Sequence, residues 1–397
     1  MLPEPLRLPD ALLAAAGSVP LAVIATALAL GGAVRLVPAL RRPSPLLALS
    51  LAGMAFVERS GAAGFLLGGA VIYAAGAFVS RAGGTDRAGR LQRWRAALAA
   101  IAVLASLFLW RRPDFEGQLQ VRLGGLELAV LVLHMWLVLR SVTFFYELGA
   151  GRIALPRPEH FALWYLLPFT LAGPILRYSE FEPFLRSLAP RAGPAPPSTG
   201  AWLRPAARGL AEVALAVACG WAKAELLARA TGGWLTAAKG LDIFFFAPWG
   251  FLWLLGGTYR VMQAAASLWA LALPPSFEAP FGRPNLSEFW ANFNMTAMRV
   301  FRDYVFMARW GLRRPNLYFN AVLVFLFCGA WHAFNGYWLL WGTLHGAAFA
   351  LYLLHRQAPE RWRLPLFSSR LASAAATYVF VCLCWYIPSK LLAFLHS

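Results

Sequence analysis

The chain has 397 residues, of which 59% are hydrophobic and 14% charged, and its mean hydropathy is +0.57. Soluble domains carry about 25% charged residues, so these values exclude an ordinary soluble protein. The formal net charge of +18 comes mostly from arginines in short segments between apolar runs. Such segments are typical of cytoplasmic loops of membrane proteins, and no soluble basic face remains that would bind nucleic acid.

Apolar runs of membrane-spanning length recur along the chain, and lipid favours helices because helices pair their own backbone polar groups. We predict an all-α polytopic membrane protein with about ten transmembrane helices, located in the inner (cytoplasmic) membrane. The predicted spans lie near 11–39, 61–80, 94–110, 124–146, 158–176, 207–229, 241–272, 316–334, 336–354 and 371–395, with a weaker one near 45–57.

We predict a single membrane-embedded domain over residues 1–397. The Pro- and Gly-rich segment 189–199 forbids regular structure and is predicted to be a loop within that domain. All four cysteines fall inside apolar runs, and none has metal-site spacing with a histidine. We interpret them as small core residues and predict no metal site; they are Cys219, Cys328, Cys382 and Cys384.

The segment 274–315 differs from the rest because it mixes aromatic with polar residues after two Pro-rich pieces. Asn285 or Ser287 is the predicted cap of a helix that continues to Trp310. This helix is too polar for an ordinary span, so it either lies in the membrane interface or re-enters to line a central cavity. Its position directly before two histidine-bearing spans favours the cavity.

Two histidines stand in a run from Phe319 to Leu354 that contains no Asp, Glu, Lys or Arg. His332 precedes the turn dipeptide Asn335-Gly336, and His345 follows it. An ionisable group at membrane depth is costly and indicates a functional site, although a histidine can also form a purely structural bond between helices. If both spans cross fully, the turn faces outward; a break inside the membrane that lines a cavity is the alternative.

Several blocks of sequence occur in a fixed order over about 125–355: LAGPILRY at 171–178, LPPSFEAPF at 273–281, FWANFNMT to RDY at 289–304, GAWHA at 329–333 and WGTLHG at 341–346. This ordered set resembles the membrane-bound O-acyltransferase (MBOAT) family, and in particular its bacterial alginate O-acetyltransferase and D-alanyl transfer branch. Two departures stand out. The segment 254–260 lacks both aspartates of the family block, and Asn294 replaces the branch's histidine. Elsewhere in the family, an asparagine at that place is paired with the later histidine as the catalytic residues.

The resemblance implies an acyltransferase that moves an acetyl or another short acyl group from a thioester to a hydroxyl. The acceptor is a glycan, a lipid or a small molecule. Acyl-CoA or an acyl-carrier thioester is the expected donor substrate, with no bound cofactor. The catalytic residues implied are His332 as the base, a task that suits neutral imidazole, and Asn294 as the group that holds a carbonyl or hydroxyl.

Further candidates follow from the same blocks. His345 either lines the cavity or only packs beside Gly342 and Gly346, which form a small-xxx-small face. Other candidates for the cavity wall are Trp290, Trp331 and Tyr304. Candidates for contacts with donor phosphates are Arg299, Arg302, Arg309 and Arg177. Arg302 and Asp303 are also interpreted as a structural ion pair or an interfacial anchor.

The predicted partners are membrane lipids, the acyl donor and a periplasmic or extracellular protein. Two other classes stay open. A family member without catalysis would act as an assembly partner or lipid binder, which the missing aspartates and Asn294 allow. A transporter or flippase would also have many spans, but matching broken helices in internal repeats are typical of that class, and here the polar blocks cluster in one stretch.

Overall fold

The computed structural model describes residues 19–40, 42–57, 62–109, 119–123, 126–130, 135–170, 173–188, 199–309, 311–359 and 369–395. Most of these residues are helical, as predicted. The predicted loop 189–199 lies outside the described residues except for Thr199, which begins a helix.

The first four helices agree with the predicted spans to within several residues. They are α1 (Val19–Leu36), α2 (Pro43–Val57), α3 (Ala62–Arg81) and α4 (Arg87–Leu109). The start of α4 has a local cause, because the Asp86 carboxylate accepts a hydrogen bond from the Gly89 amide at 3.0 Å. Such an acceptor satisfies an amide that lacks a partner in the first turn of a helix.

A two-stranded antiparallel hairpin replaces the first half of the span predicted near 124–146. Strand β1 (Leu119–Leu123) pairs with β2 (Leu126–Val130), with Arg122 opposite Glu127. The sequence LQVRL-GG-LELAV alternates apolar and polar residues around two glycines, a pattern typical of a hairpin. The predicted span was therefore wrong in this half. Helix α5 (Met135–Gly149) forms its end, and residues 131–134 lie outside the described residues.

The span predicted near 158–176 is also wrong as a single helix. Helix α6 (Pro158–Tyr165) ends early, and a 3-10 turn and an extended stretch separate it from α7 (Tyr178–Ser187). Proline interrupts helices because it lacks an amide donor, and both Pro168 and Pro174 lie in this interval. Gly173 has φ +93° and lies so close to the Tyr259 phenol that no Cβ would fit.

The second half of the chain follows the predicted spans more closely. It contains α8 (Thr199–Arg229), α9 (Gly232–Leu241), α10 (Ala247–Ser267), α11 (Leu286–Asn292), α12 (Met295–Phe301), α13 (Leu317–His332), α14 (Gly336–Gln357) and α15 (Arg370–Leu395). Two wider π-helical turns interrupt this series. Asp242–Phe246 joins α9 to α10, and Arg302–Phe306 follows α12.

Four helical stretches among the described residues are long and apolar enough to cross a membrane: Arg87–Leu109, Gly232–Ser267, Gly336–Gln357 and Arg370–Leu392. Shorter apolar helices include Leu317–His332. Large apolar side chains on these helices are exposed, as lipid contact requires; Phe78 is 67% exposed and Leu351 63%. The protein is a helical multi-pass membrane protein, and the predicted count of about ten spans is not confirmed.

The described residues form two compact units. One contains residues 212–256 and 275–395, and the other contains 19–211 and 257–274. Arg140 is fully buried in the second unit, where its guanidinium donates to the Thr170 hydroxyl at 2.8 Å and to the Trp164 carbonyl. The first unit holds every predicted site residue except Arg177. A single domain over 1–397 stays a prediction.

Candidate active site

Helices α13 and α14 form an antiparallel pair that carries both histidines. An asparagine caps each helix: the Asn316 side chain accepts from the Phe319 amide at 3.1 Å, and the Asn335 side chain accepts from the Trp338 amide at 3.0 Å. These acceptors satisfy first-turn amides that would otherwise lack partners. The predicted break between the two spans at Asn335 is confirmed.

Glycines bring the backbones of α13 and α14 into direct contact. A Cβ on Gly329 would collide with the Trp338 carbonyl, and a Cβ on Gly342 with the Phe325 carbonyl. A Cβ on Gly346 would lie 2.8 Å from the Val322 Cα. The small-residue face predicted on α14 is confirmed, and this close approach sets the distance between the two histidine-bearing helices.

His332 is the last residue of α13 and is half-buried. Its ring stacks on Trp338, with ring centroids 4.2 Å apart and an interplanar angle of 12°. Trp331 and Trp341 also contact it, at centroid distances of 4.9 Å and 6.1 Å. The imidazole is thus held in a defined orientation by aromatic rings and remains partly accessible, as a group that exchanges protons with a substrate must be.

His345 lies on α14 and is fully buried. Its Nδ1 atom is 3.0 Å from the Trp341 carbonyl oxygen. A carbonyl only accepts hydrogen bonds, so Nδ1 carries the proton, and Nε2 of the neutral ring is left as an acceptor. Nε2 is buried and has no hydrogen-bond partner among the described residues.

Aromatic rings enclose His345. Its ring centroid lies 4.3 Å from that of Trp341, 5.3 Å from Trp290, 5.5 Å from Phe380 and 5.6 Å from Phe325. The indole Nε1 atoms of Trp290 and Trp341 are also buried without a partner in the described part of the chain. Unpaired buried polar groups are costly, and a hydroxyl, which both donates and accepts, would satisfy the imidazole nitrogen together with an indole N–H.

The helix predicted from Asn285 to Trp310 is broken in the middle, so that prediction was wrong in extent. Helix α11 ends at Asn292, and Asn294 adopts the left-handed conformation with φ 44° and ψ 51°. Asparagine is one of the few residues other than glycine that tolerate this conformation. The Asn285 cap is confirmed, since its side chain accepts from the Glu288 amide at 2.9 Å; Trp310 lies outside the described residues.

Asn294 occupies the start of α12, and its side-chain Oδ1 is buried without a hydrogen-bond partner in the described structure. The Met295 amide donates to the Ser276 carbonyl at 2.8 Å, which ties this turn to the Pro-rich entry segment. At the other end of α12, Phe301 contacts the ring of Trp331, 6.0 Å between centroids. Asn294 therefore lies at the start of α12, and Trp331, the residue before His332, contacts the end of that helix.

The structure brings four of the predicted residues into one aromatic assembly. Trp290, Trp331, His332 and His345 are linked by the ring contacts described above. Arg299 and Tyr304 are half-buried on α12 and in the π turn after it, respectively.

The other predicted phosphate contacts have different surroundings. Arg302 is exposed, and its Nε is 2.8 Å from the Asp303 carboxylate, which agrees with the structural ion pair. Arg309 is exposed. Arg177 belongs to the other unit, where its amide donates to the Glu180 carboxylate at the start of α7, at 3.1 Å.

Sequence reasoning missed a partly open aromatic cavity of about 180 Å³ beside Trp290 and Phe293. Its walls include Phe251, Phe289 and Trp385, with Cys382 at one side. The cavity also borders Asp242, whose carboxylate is 2.8 Å from the Lys223 ammonium. No local signal marks these residues, because α10, α11 and α15 supply them from distant parts of the sequence.

The interpretation of the cysteines is confirmed, since all four are buried free thiols. Within the described ranges, no group of three or more His, Cys, Asp or Glu side chains could hold a metal ion.

These features define a helical multi-pass membrane protein in which two histidines belong to one aromatic assembly. No protein-family model matches the chain. The chain is similar to the peptidoglycan O-acetyltransferase of Helicobacter pylori, 28% identical over 117 residues, which is 29% of this chain and 22% of the relative.

Two further relatives also carry the names of acyl-transferring enzymes. The chain is 31% identical to the probable alginate O-acetylase of Pseudomonas putida over 78 residues, 19% of this chain and 16% of the relative. It is 30% identical to the teichoic acid D-alanyltransferase of Bacillus subtilis over 132 residues, 29% of this chain and 32% of the relative. The chain thus spans less than a third of the length of each relative that it matches. All three are members of the MBOAT family, so the resemblance drawn from the motifs is confirmed at modest identity and partial coverage.

Proposed function

We propose that this protein is a membrane-bound O-acyltransferase that transfers a short acyl group from a thioester to a hydroxyl. The observation that carries the proposal is the buried aromatic assembly around His332 and His345, with polar atoms placed to receive a hydroxyl. Relatives that are O-acetyltransferases and a D-alanyltransferase support it.

In the proposed reaction, Nε2 or Nδ1 of His332 takes the proton of the acceptor hydroxyl as its oxygen attacks the thioester carbonyl carbon. The C–O bond forms, the tetrahedral oxyanion collapses, and the C–S bond breaks; the departing thiolate then takes the proton from the imidazolium. Asn294 holds the reactants through its amide. Its unpartnered Oδ1 accepts from the hydroxyl, or its NH₂ donates to the oxyanion, and such bonds are strong in a dry site.

The size of the aromatic cavity supports a short acyl group. Apolar cavities of about 150 Å³ bind molecules as large as benzene, and this cavity measures about 180 Å³. An acetyl group or an acyl chain of a few carbons fits that space.

Acyl-CoA or an acyl-carrier thioester is the proposed donor, and the inner (cytoplasmic) membrane the proposed location. The names of the relatives refer to peptidoglycan, alginate and teichoic acid, which favours a cell-surface glycan or polymer as the acceptor. Delivery to such an acceptor would involve a periplasmic or extracellular protein partner.

The test is the His332→Ala variant. Removing a general base lowers the rate by about 100- to 10,000-fold, whereas the loss of a half-buried side chain at a helix end leaves protein level and detergent stability close to wild type. Transfer of labelled acetyl from a thioester is measured in membranes, with His160→Ala as the histidine control in the other unit. Full activity of His332→Ala would overturn the assignment of the base.

A further inference from the structure

Two backbone hydrogen bonds join the Pro-rich entry segment (275–284) to the turn between α11 and α12. The Glu278 amide donates to the Asn292 carbonyl at 3.0 Å, and the Met295 amide donates to the Ser276 carbonyl at 2.8 Å. Between the bonded positions, the entry segment has one residue and the turn has two. The two stretches therefore pair in opposite directions with one extra residue, as in a β-bulge, a feature that redirects side chains beside active sites.

This pairing places a serine next to Asn294. Phe277 lies opposite Phe293, and their rings meet edge to face with centroids 5.2 Å apart. Ser276 precedes Phe277, while Asn294 follows Phe293 and has the left-handed backbone. Because the paired stretches run in opposite directions, Ser276 and Asn294 are neighbours at the same end of the pairing.

Both neighbours have a buried polar atom without a partner. Ser276 is only 2% exposed, and its Oγ has no hydrogen-bond partner among the described residues, as is also true of Oδ1 of Asn294. The serine hydroxyl does not donate to that oxygen, although the bond would satisfy both atoms. Buried polar atoms without partners are costly. A ligand group that donates to Oδ1 and accepts from the serine hydroxyl would remove that cost.

An arginine fixes the two paired stretches. The Arg283 guanidinium donates to the carbonyls of Ala279 at 3.0 Å and Glu278 at 2.9 Å, and to the Asn292 side-chain oxygen at 3.2 Å. Ala279 has φ 46°, a conformation that is unfavourable for alanine. The guanidinium thus holds a strained loop against the end of α11, and a site that orients a ligand needs such a rigid support.

The chemistry of the two orphan atoms identifies the ligand group as a hydroxyl, which both donates and accepts. This hydroxyl is not the one that reacts, because a proton donated to Oδ1 of Asn294 is not available to His332. It is therefore a second hydroxyl of the same acceptor. The amide NH₂ of Asn294 then remains for the oxyanion, which is one of the two roles proposed for it.

We infer that Ser276 is a further substrate-binding residue, and that with Oδ1 of Asn294 it binds a hydroxyl adjacent to the one that is acylated. The inference rests on the proposed acyl transfer and narrows its acceptor to a polyol, such as a sugar ring. An alcohol with a single hydroxyl has no group for this site.

The first test compares two model acceptors that differ in one hydroxyl, trans-cyclohexane-1,2-diol and cyclohexanol. Labelled acetyl-CoA is the donor, and the purified full chain is the enzyme. Wild type should have a kcat/KM for the diol about tenfold or more above that for cyclohexanol. Ser276→Ala should lower the value for the diol about tenfold and leave that for cyclohexanol unchanged. Equal effects on both acceptors, or none on either, would overturn the inference.

Stability and two further variants separate binding from packing. Ser276→Ala removes a buried hydroxyl that has no partner, so its thermal stability should equal or exceed that of wild type. Ser276→Cys preserves most of the volume with a weak donor. It should lose the diol preference to the same extent, and retention of that preference would contradict the inference. The control is Ser50→Ala, a buried serine whose hydroxyl donates to the Leu46 carbonyl at 2.9 Å; it should leave the preference unchanged.

The double variant Ser276→Ala/Asn294→Gly tests whether the two residues bind the same hydroxyl. Residues that share one ligand group do not act independently. The loss of diol preference in the double variant should therefore be smaller than the product of the two separate losses. Losses that multiply would show that the residues bind different groups and would overturn the shared site.

The polymers named for the relatives separate failure of this inference from failure of the proposed function. If wild type transfers acetyl to peptidoglycan, alginate and both small acceptors at no measurable rate, the proposed function fails and the inference with it. If only a polymer is acylated, Ser276→Ala should raise the KM for that polymer about tenfold without changing the KM for acetyl-CoA. An unchanged KM for the polymer, or equal use of cyclohexanol and the diol by wild type, would overturn the inference alone.

Discussion

The Nδ1 atom of His345 donates a hydrogen bond to the Trp341 carbonyl one helical turn earlier, at 3.0 Å. This bond leaves Nε2 as an acceptor inside an aromatic shell, and two indole N–H groups in the same shell also lack partners among the described residues. The arrangement is expensive for a residue that only fills space. It gives His345 the chemistry of a hydroxyl-binding group.

Replacing His345 with Phe tests whether the protein needs the imidazole nitrogens or only the ring contacts of this residue. The variant retains the ring contacts with Phe325 and Trp341 and removes a buried unpaired nitrogen, so we expect a thermal stability in detergent equal to or above that of wild type. Acyl transfer should fall by about 100-fold or more. Full transfer by the stable His345→Phe protein would assign His345 to packing alone. The control is His345→Ala, which leaves a cavity and should lower the free energy of unfolding by about 2–5 kcal/mol.

Two variants of Asn294, to glycine and to alanine, should differ in stability but not in the loss of transfer. Glycine accepts the left-handed backbone without strain, whereas alanine at φ 44° pays about 1–2 kcal/mol. Both lose the amide, so both should lower transfer by about 100- to 1,000-fold. Thermal unfolding and initial rates measure the two effects; a glycine variant with wild-type rate would remove Asn294 from the catalytic residues.

Gly342→Ala should separate α13 from α14. The new Cβ meets the Phe325 carbonyl, and backbone cannot move aside as a flexible side chain can. We expect a loss of about 1–3 kcal/mol or more of stability and loss of transfer, measured on the purified protein. In the control Gly240→Ala on α9, the Cβ meets nothing within 4 Å, so stability should stay within about 1 kcal/mol of wild type.

Cys382 should influence which acyl chain is accepted, because it lines the aromatic cavity. Enlarging it to Phe should exclude chains longer than acetyl, and reducing it to Ala should admit a longer chain, with selectivity changes of about tenfold or more per methylene. The readout is the ratio of rates for acetyl, butyryl and hexanoyl thioesters. Cys384→Ala, at a buried position of α15 that does not line the cavity, should leave that ratio unchanged.

Much of the helical pattern could be predicted from sequence. The break between α13 and α14 was predictable because Asn335 both ends one apolar run and caps the next helix. The hairpin over 119–130 was missed because an average of hydropathy does not register the alternation of apolar and polar residues, although that alternation was visible around Gly124-Gly125.

The site was predictable as a set of residues but not as an arrangement. The left-handed turn at Asn294 is followed by the Met295 amide, which donates to the Ser276 carbonyl nineteen residues earlier, and the local sequence does not predict that contact. His332 and His345 stand in equally apolar runs, so only packing distinguishes the half-buried ring from the fully buried one.

The glycine contacts between α13 and α14 also determine which parts of the site are free to move. Since backbone meets backbone at Gly329 and Gly342, no side chain at these two contacts can change rotamer to let the helices separate. We therefore expect the imidazoles of His332 and His345 to move together with the α13–α14 pair. Any opening that admits donor or acceptor has to come from the elements that surround this pair, and the broken α11–α12 segment at Asn294 is the one with a bend already built into its backbone.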